Sequence, residues 1–152
     1  LGSNPSGGFA FTLTIECDFT LLSLDQQQNS QQQGDVGLGL AIAWFACNGY
    51  RVSIPLTDSQ DYDLVVEQSY KLFTVQVRTT YHEKYAGIYQ LDLRVSGGNR
   101  SGTGKIKYLN PDHVDYLFAV TDAGDQYLIP SNEIEARRSI NLGEKYAQYK
   151  VT

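Results

Sequence analysis

The chain has 152 residues, of which 41% are hydrophobic and 19% charged, with a net charge of −5. That suffices for one core and is too apolar for a disordered chain, which sets a single domain as the expectation. No apolar run approaches the ~20 residues of a bilayer span, and "LGSNPSGGFAF" lacks a basic segment ahead of an apolar one, so a soluble, non-secreted, cytoplasmic protein with no membrane partner is expected.

Residues 1–33 read as an N-terminal extension. A Gly/Ser/Pro opening leads into the β-like "FAFTLTIECDFTLLSL", then into "DQQQNSQQQ", a linker or fraying tract. Cys17 and Cys47 have neither CxxC spacing nor a nearby His pair, which excludes a zinc or redox motif. Two reduced thiols are expected, a single disulfide being the alternative.

The second unit, 34–152, opens with "DVGLGLAIAWFACN", expected to be a helix with Asp35 as its acidic cap and Gly49 as its left-handed stop. It is apolar almost all round and should be sandwiched between a sheet and a further cover. Gly34, Gly37 and Gly39 have the wrong spacing for a dinucleotide loop and follow no strand.

"YRVSIPL" alternates and stops at Pro55, as a strand should. "YDLVVE" and "KLFTVQV" follow as a hairpin, then a strand-rich basic segment with a hairpin inserted at about 81–109. Next come "VDYLFAV" and "QYLIP" around the turn "TDAGD", and a weakly helical tail in "SNEIEARR" and "NLGEKYAQY". The order points to a mixed α/β sheet.

The hairpin carries the chemistry. Side chains alternate along a strand, so Gln76 and Arg78 share one face and Val75 and Val77 the other. A turn centred between Ser69 and Tyr70 makes Asp63 and Gln76 direct cross-strand neighbours, about 5 Å apart at Cβ; a slip of one residue would put them on opposite faces. Asp63 then offers a hard oxygen to Mg²⁺, with the Gln76 amide oxygen and the Val77 carbonyl as further ligands. Such an ion assists phosphodiester hydrolysis, while Arg78 can hold the phosphate but is a poor general base. On spacing alone, the alternative is a strand start near a turn with Gln76 and Arg78 on an exposed sheet face.

The order of these residues resembles the PD-(D/E)xK nucleases, and within them the group I intron-encoded homing endonucleases of bacteria. "GDVGLGLAIAWFACNGYRV" is similar to the family's helix and first strand, "DYDLVV" supplies Asp63, and "VQVRTT" supplies Gln76 and Arg78. "VDYLFAVTDAGDQYLIPSNEI" looks like the closing hairpin and helix, so the resemblance spans about 34–135. It implies a restriction-endonuclease-like α/β core, a central mixed sheet flanked by helices. It also implies Mg²⁺ as cofactor, with Mn²⁺ or Ca²⁺ able to replace it for binding, a dimer or tetramer, and site-specific cleavage of double-stranded DNA. Two positions depart from the pattern: Leu38 stands where the helix would carry a metal-assisting Glu, and Arg78 replaces the usual Lys. A restriction enzyme, a junction resolvase, or a DNA-binding protein that keeps the scaffold without catalysis are the alternatives.

Charge is unevenly spread. Residues 1–68 hold one basic side chain against eight acids, net −7; residues 69–110 hold seven against two, net +5; residues 111–152 return to −3. The middle segment therefore suits DNA, with His82, Lys84, Arg94, Arg100, Lys105 and Lys107 as contact candidates on a ribbon that the major groove admits. His82 and His113 have no nearby Ser, Cys or second His, so a triad or His₂ zinc centre is not expected, and His82 is read as touching phosphate or solvent. Arg137 and Arg138 could meet the DNA backbone or a neighbouring subunit.

Overall fold

A computed structural model describes Leu24 and residues 29–57, 59–96 and 106–152. Arg100 and Lys105 lie outside the described residues.

The helix α1 spans Ser30–Cys47, six residues longer at its start than a cap at Asp35 led us to expect. Its cap is Asn29, whose side chain accepts from the backbone N–H groups of Gln31 and Gln32 at 3.0 Å each. The tract expected to be a linker thus contributes Gln31–Gln33 to the helix, in keeping with the good helix propensity of glutamine. The stop is as expected: Gly49 adopts φ +81° just past the end.

Ten strands follow. The main sheet has order β1 (Arg51–Ser53), β2 (Leu64–Gln68), β3 (Lys71–Thr80), β8 (Tyr116–Thr121) and β9 (Gln126–Pro130). All its neighbours are antiparallel except β3 and β8, which run parallel, so the sheet is mixed. A three-stranded antiparallel sheet holds β10 (Ser139–Leu142), β5 (Ile88–Asp92) and β4 (Glu83–Tyr85), and β6 (Arg94–Ser96) pairs with β7 (Ile106–Tyr108). The expected α/β architecture with a central mixed sheet is present.

The two faces of the main sheet have different covers. Ala41 and Phe45 of α1 pack with Leu64, Val66, Val75, Val77, Phe118 and Val120 on one face. On the other, Leu117, Ala119, Tyr127 and Ile129 meet Leu91, Ile140 and Leu142 of the small sheet. Among the described residues a small sheet, not a second helix, flanks that side. The outer stripe of α1, including Gly39, Ala43 and Ala46, is exposed, so the second cover expected for the helix is not found among the described residues.

The expected helical tail is mostly not helix. After the single 3-10 turn Ser131–Glu133 the chain becomes β10, and only Glu144–Tyr149 turns again, as 3-10. The reason is burial: Ile140 and Leu142 alternate inward onto β5, a period of two that suits a strand.

Candidate functional site

The site begins with a turn. Ser69 and Tyr70 both have positive φ, 51° and 64°, the pattern of the two-residue turn whose twist matches a hairpin. That turn sets the register Leu64↔Val75, Val65↔Thr74, Val66↔Phe73, which is the register expected from the sequence. Leu64, Val66, Val75 and Val77 face α1. By alternation Asp63, Gln76 and Arg78 share the opposite face.

Regular pairing ends at Leu64, and Asp63 turns its own groups onto β3. Its N–H donates to the Val75 carbonyl at 2.9 Å, and its Oδ2 accepts from the Val77 N–H at 2.7 Å. Val77 therefore has its backbone polar groups directed to the Asp63 side, since the N–H and carbonyl of a strand residue leave on the same side.

Gln76 is 7% exposed, which removes the reading of an exposed sheet face. Its Nε2 donates to the Asp61 carbonyl at 2.9 Å, whereas its buried Oε1 has no partner among the described residues. The Arg78 side chain also has two buried donors without partners among the described residues, Nε and Nη2. Buried polar groups are rarely left unsatisfied, and three on one face mark a place that accepts something from outside the chain.

The electrostatics agree. Burial pushes the Asp63 carboxyl above its usual range, opposed by the Val77 N–H and the Arg78 charge. Burial pulls the Arg78 guanidinium down, opposed by Asp63 and Asp92. Arg78 thus lies in the field of two carboxylates and stays charged. Among the described residues no three His, Cys, Asp or Glu side chains cluster to hold a metal. A single carboxylate with an orphaned amide oxygen and a backbone carbonyl is an all-oxygen set nonetheless, which fits a hard divalent cation.

Leu38 does not join this group. It is half-buried and packs against the apolar cluster on the α1 side, the face away from Gln76 and Arg78.

Of the other candidates, His82 and Arg94 line a cleft of about 450 Å³ at the end of β3, together with Thr80, Gln90, Asp92 and Arg138. Arg94 is engaged there by Asp92, its Nε donating to Oδ1 at 3.0 Å and Oδ2 at 3.1 Å. Lys84 is exposed beside the Tyr85 ring. Lys107 reaches Asp61 at 3.1 Å, and so does His113, at 2.9 Å, so His113 is not the isolated histidine that the sequence suggested. Asp61 and Asp92 were missed as site residues, whereas Arg138 had been named for the DNA backbone or a neighbouring subunit and lines the cleft. For Asp61 one signal existed, its two-residue spacing from Asp63 in "DYD"; Asp92 arrives only through long-range pairing.

A family model for the PD-(D/E)XK endonuclease matches residues 28–151. The structure of a bacterial homing endonuclease, I-Ssp6803I, superposes with a TM-score of 0.68 and 24% identity, covering 80% of this chain and 88% of that one. No curated protein matches.

Proposed function

The chain belongs to the PD-(D/E)XK endonuclease family, and on that premise we propose that it is a site-specific double-stranded DNA endonuclease of the intron-homing type, dependent on Mg²⁺. The observation that carries this reading is the shared face of Asp63, the orphaned Gln76 Oε1 and the orphaned Arg78 donors.

Asp63, Gln76 through Oε1 and Val77 through its carbonyl would hold the cation, with Mn²⁺ or Ca²⁺ able to take its place for binding. When bound, it supplies Lewis-acid stabilisation of the charge that develops on the attacked phosphate. Arg78 holds a non-bridging phosphate oxygen with Nε and Nη2, a planar fork matched to that geometry. It transfers no proton. The surrounding desolvation strengthens each of these contacts relative to water.

His82 and Arg138 in the cleft beside the site, with Lys84 on β4 and Arg94 at the start of β6, suit the phosphates of the flanking duplex. Lys107 on β7 adds to that basic group, and Arg100 and Lys105, outside the described residues, belong to the same basic run of the sequence. A dimer or tetramer fits a long target, because symmetric copies read paired half-sites.

Incubating the protein with candidate duplexes and Mg²⁺ tests the proposal, with Asp63→Asn as the control. Cleavage by the parent and its loss by about a hundredfold or more in the control are expected. Binding of duplex without any cleavage would favour a second reading, a DNA-binding protein on the same scaffold, for which the apolar packing of Leu38 speaks. Binding should weaken steeply with salt, and Arg100→Ala with Lys105→Ala should flatten that slope.

A further inference from the structure

We infer that Asp61 is a positioning residue for Gln76, and that Lys107 and His113 act through it. The inference rests on the reading of Gln76 Oε1 as a cation ligand and goes beyond it, to what fixes that oxygen.

A carboxamide can exchange its nitrogen and oxygen by rotating about its last bond, a torsion with broad, roughly two-fold preferences. In Gln76 one end is decided: Nε2 donates to the Asp61 carbonyl at 2.9 Å, and a carbonyl accepts only. The oxygen is therefore left at the other end, buried and without a partner among the described residues, where an acceptor is of use to a cation. The orientation depends on where the Asp61 carbonyl stands.

Asp61 lies outside any strand, ahead of β2, so no ladder holds it. Its side chain does. Oδ1 accepts from Lys107 Nζ at 3.1 Å and Oδ2 meets His113 Nδ1 at 2.9 Å. One partner comes from β7 and the other from the turn before β8, so a strand and a turn converge on one carboxylate. The hydrogen bond from His113 and that from Lys107 hold the Asp61 carboxyl below the usual range. Lys107 and His113 are exposed, at 56% and 59%, and Asp61 is half-buried at 31%. Exposed pairs of this kind add little to global stability. Their effect is then on the position of Asp61 rather than on whether the domain folds.

The test uses the full ¹⁵N-labelled chain and the side-chain amide signal of Gln76, assigned by its loss in Gln76→Glu. In the parent protein that signal should exchange slowly with solvent. Asp61→Ala should speed its exchange about tenfold while the backbone spectrum stays that of the folded protein, and Asp61→Asn, which keeps an acceptor, should restore most of the protection. Lys107→Ala combined with His113→Ala should reproduce the Asp61→Ala effect, and carries the test alone if Asp61→Ala fails to fold. Calorimetric titration with Mn²⁺ should show about tenfold weaker binding in the same variants. Unchanged Gln76 exchange in the folded variants overturns the inference. If Gln76 responds to Asp61 but the parent protein binds no Mn²⁺, the positioning role stands and the proposed catalytic function falls.

Discussion

Gly37 on α1 and Thr79 on β3 meet with no room for a side chain between them: a Cβ at position 37 would collide with Thr79 Cγ2 and press on Val77 Cγ1. The helix can seat on the candidate strand only because residue 37 ends at Cα. Gly37→Ala should therefore destabilise the fold by about 1–3 kcal/mol, through overpacking. Gly39, two residues along, faces open space. Gly39→Ala should instead stabilise by roughly 0.5–1 kcal/mol, because it removes backbone freedom from the unfolded chain. Urea midpoints of the two variants, moving in opposite directions, check both.

Asp63→Asn should stabilise the protein while removing cleavage. Burial raises the folded-state pKa of Asp63 above 3.8. Its contribution is then fully present below the unfolded pKa and is lost as pH rises through the raised folded value. The asparagine keeps an acceptor for the Val77 N–H and cannot ionise. The stability advantage of the variant should thus grow upward from about pH 3.8 and level off above the folded pKa, as urea unfolding between about pH 4 and about pH 8 would show.

Leu38→Glu should leave Mg²⁺-dependent cleavage unchanged at a cost in stability, because position 38 packs on the α1 side of the sheet, away from Asp63, Gln76 and Arg78. The leucine is half-buried against the helix-side core, so an ionised side chain there should cost about 1–3 kcal/mol. Parallel cleavage assays and thermal melts separate the two effects. Increased cleavage by a folded variant would instead mean that a carboxylate at position 38 reaches the Asp63 face of the sheet.

Asn29→Ala should weaken the fold by about 1 kcal/mol, since it removes the acceptor shared by Gln31 and Gln32. Proteolysis within the first turn of α1 should rise in step, which digestion followed by mass spectrometry would read out.

How far these features were visible in advance depends on how local they are. The register of the β2–β3 hairpin follows from one two-residue turn and the parity of a strand, so Asp63 and Gln76 could be placed together. The body and stop of α1 follow from an apolar run and Gly49, while its start did not, because a Gln-rich tract reads as low complexity until a cap such as Asn29 is recognised. Strand β10 was illegible for a different reason. Its neighbour is β5, far upstream, and nothing near Ser139 announces that pairing. The same holds for Asp61, whose partners Lys107 and His113 are brought to it from 46 and 52 residues away. The electrostatic coupling of Asp92 to Arg78 likewise exists only after the small sheet has docked.

The Ser69–Tyr70 turn has an evolutionary side. Both residues hold left-handed backbone without being glycine, so the connection is tolerated rather than ideal. A single codon gained or lost there would leave Asp63, Gln76 and Arg78 untouched in the sequence, yet it would rotate one of the two strands by half a turn relative to its partner. Descendants of this chain could thus lose their chemistry through an insertion that an inventory of catalytic residues would never register.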